Sequence, residues 1–209
     1  MTVESFLYQH LRLRGIGILW LFLNSCLLTL PAIAEISYTP ADVTVAGNGR
    51  IKIDLNHDGI IDFTIAANDG YSQCYFANEF YGMDTLFPAT GNGVVASNGK
   101  VTALASGTLV GSSDSFQGTQ ALIASFVFGP GFPPCFSYLR GWCYGTIESK
   151  NCSRTAYMGL AFKINGQIHY GWAYLSIYAA PGTFNTTLKG FAYETVAGRA
   201  IMTGLTSGY

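Results

Sequence analysis

The sequence predicts an all-β fold, an antiparallel β-sandwich of jelly-roll type with long disulfide-stapled loops, on three observations. Short apolar or alternating runs recur between clusters of glycine, asparagine and serine, the pattern of strands and turns. No stretch of useful length carries the period of an amphipathic helix. The composition, 49% hydrophobic and 11% charged with 25 glycines, 14 phenylalanines and 13 tyrosines, suits an aromatic-rich pleated sheet.

The chain opens on a segment of different character. Arg12 and Arg14 precede an apolar run over residues 15–30, and Pro31-Ala32-Ile33-Ala34 offers small residues where a signal peptidase inspects. Residues 1–34 are expected to be an export signal, which leaves 35–209 as one domain with a single core. The apolar run is short for a bilayer span of about 20 residues, and Pro31 interrupts it. The mature protein is therefore expected to be secreted or periplasmic, with no membrane association after cleavage. A net charge of −1 provides no basic patch for nucleic acid.

The first candidate strands, 50–55 and 60–66, enclose Asp54-Leu55-Asn56-His57-Asp58-Gly59-Ile60-Ile61-Asp62. Oxygen ligands stand at positions 1, 3, 5 and 9 of this loop and glycine at 6, the first part of a calcium loop. Three carboxylates in one turn repel each other unless a hard cation joins them. Asp54, Asn56, Asp58 and Asp62, with the backbone carbonyl of Ile60, are the expected ligands of a structural calcium ion. His57 occupies an outward position. Ile65 stands where an EF-hand carries its bidentate glutamate, and the flanks alternate as strands. The loop resembles those of thrombospondin type 3 repeats and related extracellular calcium modules. A plain hairpin with an Asp-Gly turn is the competing reading, but it does not call for carboxylates at both 54 and 62.

Residues 67–88 read as a long loop, followed by candidate strands 93–96, 101–110 and 120–128 and a second long loop, 129–154. These loops carry Cys74, Cys135, Cys143 and Cys152. An even number of cysteines in an oxidising compartment indicates two disulfides, with three pairings open. Cys143 with Cys152 closes a short loop and leaves Cys74 with Cys135. Gly141-Trp142-Cys143-Tyr144-Gly145 superficially matches a nucleophile elbow, but it lacks the strand-to-helix setting.

Asn165-Gly166 separates candidate strands 156–164 and 167–178, the strongest short signal for a hairpin. A two-residue loop sets Ile164 opposite Gln167, Phe162 opposite His169, Ala161 opposite Tyr170, Gly159 opposite Trp172 and Tyr157 opposite Tyr174. Directly opposed residues share a face. Met158, Leu160, Phe162, Ile164, Ala173 and Leu175 form the expected core face. Tyr157, Tyr170, Trp172 and Tyr174 form the other, a candidate ligand-binding face on which sugar rings would stack. The competing reading makes it a second packed layer beneath the cysteine-bearing loops, with large residues above small ones. A last candidate strand covers 187–195.

Catalytic signals are sparse. Glu79, Asp84, Glu148 and Glu194 are the carboxylates a glycosidase would draw on, and nothing in their spacing pairs them. After residue 34 the chain offers His57 and His169 as bases, and no zinc spacing occurs. His169, opposite Phe162, reads as a packed strand residue.

Tyr157-Met158-Gly159-Leu160-Ala161-Phe162, Gly166-Gln167-Ile168-His169-Tyr170-Gly171-Trp172 and Gly190-Phe191-Ala192-Tyr193-Glu194-Thr195, with the aspartate-rich loop, resemble a group of uncharacterised exported bacterial proteins, some of which carry a PEP-CTERM sorting tail. The resemblance implies export and brings no activity with it. The expectation is a secreted, calcium-stabilised, non-catalytic module that binds a glycan or another cell-surface component. The alternatives are a structural envelope or matrix protein and a secreted hydrolase.

Overall fold

The structure, a computed structural model, describes residues 35–74, 77–129, 138–143 and 151–208. The expected export signal, 1–34, lies outside them, as do Cys135 and Glu148. Ala34–Tyr209 packs as one unit.

Fourteen strands make up the described chain: β1 (Ile36–Val45), β2 (Arg50–Ile53), β3 (Phe63–Cys74), β4 (Ala77–Pro88), β5 (Gly93–Ser97), β6 (Lys100–Val101), β7 (Leu109–Val110), β8 (Phe116–Gln117), β9 (Ala121–Phe128), β10 (Tyr138–Gly141), β11 (Cys152–Ile164), β12 (Gln167–Ala180), β13 (Thr183–Glu194) and β14 (Ile201–Met202). Twelve form one sheet along the path β1-β13-β12-β11-β5-β6-β9-β4-β3-β2, with β10 beside β9 and β8 beside β5. β14 and β7 form a separate pair. Pairing is antiparallel throughout these strands except between β6 and β9.

The sheet rolls up. β1 and β2, the two ends of its path, come close to one another. Across the interior β4 meets β13, and a Cβ on Gly82 would lie 2.4 Å from the Phe184 ring. The all-β expectation therefore holds, with a barrel-like sheet in place of a clear two-sheet sandwich. The physical reason lies in β5. It pairs with β11 on one side and with β6 on the other, so it stitches together the two halves that a sandwich would keep apart.

The Asn165-Gly166 hairpin forms with the expected register at every pair from Ile164↔Gln167 to Tyr157↔Tyr174. Both turn residues have positive φ, 50° and 79°, the conformation that a two-residue hairpin turn demands. Asn98 and Gly99 repeat this between β5 and β6, with φ of 51° and 73°. The expected core face is real: Met158, Leu160, Phe162, Ala173 and Leu175 are buried with Ile51, Phe63, Ile65, Phe126 and Phe184 from across the interior. Ile164 packs against this cluster, partly buried.

Several boundaries differ from expectation. Residues 67–88, read as a loop, form most of β3 and β4, which pair from Phe63↔Pro88 to Cys74↔Ala77. Their inward face carries Gly82 and Asp84 among its apolar residues, so no regular apolar alternation marks them, and pairing of β4 with β9 supplies the support. Residues 129–154 contain β10 and the start of β11. The single strand expected over 101–110 is broken into β6 and β7, because Leu104 leaves to bridge Tyr157 and Gly107 turns with a φ of 79°. β1, β8 and β14 carried no signal strong enough to be expected.

Candidate metal centre

The loop at 54–62 is held from within by its own carboxylates. Asp54 accepts the backbone N–H groups of Asp58 at 3.2 Å and Gly59 at 2.8 Å. Asp58 accepts the N–H of Ile60 at 2.8 Å and the side-chain amide of Asn56 at 2.9 Å. These bonds bend the chain tightly enough that His57 and Gly59 take φ of 58° and 88°, which glycine adopts at no steric cost. His57 points outward as expected, bonded to the Thr39 hydroxyl at 2.8 Å.

Asp62 belongs to the base of the loop. It is buried, and its carboxylate accepts the N–H of Leu55 at 2.9 Å and the side-chain amide of Asn92 at 3.2 Å. Asn92 in turn accepts the N–H of Lys163, which ties the loop to β11. Burial pushes the Asp62 carboxyl above the ordinary range; the Leu55 and Asn92 bonds oppose this, and the charges of Asp54 and Asp58 push it further up. Asp58 moves the other way, lowered by the bonds from Asn56 and Ile60.

The sequence places five ligands here, and the structure divides them. Asp54, Asn56 and Asp58 share one exposed turn, Asp62 is already satisfied by two donors, and Ile60 is exposed. Among the described residues, no group of three or more histidine, cysteine, aspartate or glutamate side chains is gathered as a metal site. One atom nevertheless stands out: Oδ1 of Asn56 is buried without a hydrogen-bond partner. A buried acceptor without a donor costs about 1–3 kcal/mol, and a cation would relieve it as a donor would.

The aromatic face is covered. Trp172 is 2% exposed and Tyr170 6%, in a second cluster with Ile36, Val95, Val110, Ala192 and Ile201. Tyr157 stacks on Tyr174 with centroids 4.4 Å apart and meets Trp172 edge-on at 5.3 Å. Gly159 leaves the space that Val95, Leu104 and Val110 fill. Trp172 and Tyr170 offer no exposed platform for sugar rings; among the described residues the layer above them comes from β7, β14 and their neighbouring turns.

Cys143 and Cys152 are joined as expected, with Cα atoms 5.6 Å apart. The partner proposed for Cys74, Cys135, lies outside the described residues. Trp142 beside the bridge is buried, its indole N–H on the Val101 carbonyl at 3.0 Å, which makes this segment a structural anchor.

Of the carboxylates considered for catalysis, the three within the described residues lie in separate surroundings. Asp84 is fully buried and accepts the hydroxyl of Thr186. Glu194 caps the N–H of Val196 at 3.0 Å, and Glu79 accepts the Ser72 hydroxyl at 2.7 Å on the outer surface. His169 is buried with Nδ1 2.9 Å from the Glu194 carbonyl. Sequence reasoning missed the pairing of Asp84 with Thr186, which joins residues 102 positions apart and leaves no local trace. The chain matches no protein-family profile, no curated protein and no solved structure.

Proposed function

We propose that the protein is an exported, non-catalytic β module that engages a glycan or another cell-surface component, with its 54–62 loop stabilised by a calcium ion. The unpartnered Asn56 Oδ1, buried between the Asp54 and Asp58 carboxylates in sequence, carries the calcium reading. Asp54, Asn56, Asp58, the carbonyl of Ile60 and Asp62 would hold the ion, which would supply positive charge to a turn that has none of its own. The upward push that Asp54 and Asp58 exert on Asp62 is the repulsion such an ion would cancel. The resemblance to exported proteins and the candidate signal at 1–34 support the extracellular setting.

Calcium loops in extracellular modules bind on the order of 10⁻⁴ to 10⁻³ M. At about 10 mM calcium the ion would stabilise the fold by roughly 1.4–2.7 kcal/mol, a rise of several degrees in melting temperature. The expected outcome is that rise, reversed by chelator and absent in Asp58→Ala. An unchanged melting curve, with no heat of binding in calorimetry, would overturn the calcium reading.

A further inference from the structure

The outward face of β2, β3, β4, β9 and β10 carries a trough in two lobes, of about 550 Å³ and about 220 Å³, which share Asn68 and Met83. Its floor follows from strand register. Asn68, Met83, Ser125 and Arg140 stand opposite one another in a single row across four strands. Arg50, Ala66 and Thr85 form the next row, and Lys52, Thr64 and Phe87 the one beyond. Met83 and Phe87 are 43% and 38% exposed, in contrast to the covered aromatic face.

Charge distinguishes this trough from the rest of the molecule. Among the described residues Arg50, Lys52 and Arg140 face outward here and Glu79 is the carboxylate that lines the trough, whereas the chain as a whole has a net charge of −1. Arg50 and Arg140 are four strand spacings apart, about 19 Å, so a single small anion cannot meet both. Between them lie apolar Met83, the Asn68 amide and the Ser125 hydroxyl, and further along β4 the larger lobe is lined by the amphipathic ring of Tyr81 and the Glu79 carboxylate. Guanidinium groups match carboxylates in planar, bidentate geometry. Glu79 accepts hydrogen bonds only, which calls for a ligand that also has hydroxyl donors.

We propose that this trough binds a segment of anionic polysaccharide lying across the strands, its uronate carboxylates on Arg50 and Arg140 and its rings against Met83 and Tyr81. The assignment rests on the reading of the chain as an exported binding module and is independent of the calcium loop. Interactions of this kind, mostly solvent-exposed, are worth about two- to fivefold in affinity each when removed.

The test is binding of the full chain to immobilised polygalacturonate in chelator-containing buffer, with dextran and poly-glutamate as comparison surfaces. Arg50→Gln and Arg140→Gln are each expected to weaken polygalacturonate binding about two- to fivefold, and Tyr81→Ser to weaken it as well. Lys189→Gln, on β13, should leave it unchanged. Melting curves identify any variant that fails to fold; Arg50 stands exposed on a short strand, so Arg50→Gln keeps the test decisive. Unaltered affinity in a folded Arg50→Gln variant, equal affinity for poly-glutamate, or no polygalacturonate binding at all would overturn the proposal. A calcium-dependent melting temperature alongside any of those results would leave the calcium reading standing.

Discussion

Two outer faces of the same rolled sheet have opposite fates. Over β11, β12 and β13 the chain folds back on itself, and Trp172 and Tyr170 disappear beneath β7, β14 and Phe116. Over β3, β4 and β9 Met83, Phe87 and Asn68 face outward around an open trough. Both faces follow the same alternation of side chains in and out. The covered face is apolar on both sides of its strands, as Ala173, Leu175 and Trp172 show, which suits a sheet packed on two sides. The open face intersperses Asn68, Ser72, Glu79 and Thr85 among its few large side chains.

The largest expected effect breaks the covered face. Trp172→Ala removes a ring packed against Tyr38 and Tyr157 and should destabilise the fold by about 3–5 kcal/mol, read from the midpoint of urea unfolding. A loss below about 1 kcal/mol would mean that the second layer does not seal this face. Part of the cost is offset, because the Trp172 indole N–H is buried without a partner and alanine would remove that unmet donor.

The interior side of the open-face strands gives the next largest effect. Asp84 sits beneath that face, bonded by Thr186, with its other oxygen buried and unpartnered. Burial pushes its carboxyl up to about 7, Thr186 opposes this, and the charge of Asp69 adds to it. Unfolded, the same carboxyl titrates near ~3.9. The native state therefore holds this proton more tightly, so the contribution of Asp84 to stability is most favourable below about pH 4 and falls as pH rises to about 7. The full loss is on the order of 4 kcal/mol. Asp84→Asn should flatten that fall and leave the variant more stable than the parent at pH 8. Parallel stability profiles for the two proteins between pH 5 and pH 8 would contradict it.

The smallest effect sharpens the contrast from the other side. Met83→Ser on the open face should change stability by less than about 0.5–1 kcal/mol. A loss as large as that of Trp172→Ala would show that something covers Met83 in solution, and the two faces would then not differ.

Much of this was legible in local sequence. Asn165-Gly166 predicted the register of β11 and β12 from Ile164↔Gln167 to Tyr157↔Tyr174, because a two-residue turn leaves one register; the structure carries that register on to Cys152↔Ala179. Short separation likewise identified Cys143 with Cys152. The 54–62 loop was recognisable from spacing, and its turn is held by Asp54 and Asp58. What could not be read was the commitment of Asp62 to Asn92, 30 residues away, which competes with a role as metal ligand. β4 escaped notice because Gly82 is needed under Phe184 and Asp84 replaces an apolar residue on the inward face, so the usual alternation is interrupted twice.

The sequence by itself determined the all-β class, the central hairpin and the assignment of its two faces, since period-two alternation and turn geometry act over a few residues. Only the tertiary structure decided which outer face is covered, that the strands roll into one barrel-like sheet, and that Asp84 lies opposite Thr186. Those outcomes depend on where segments remote in the chain come to rest, and that is governed by the total burial they achieve together.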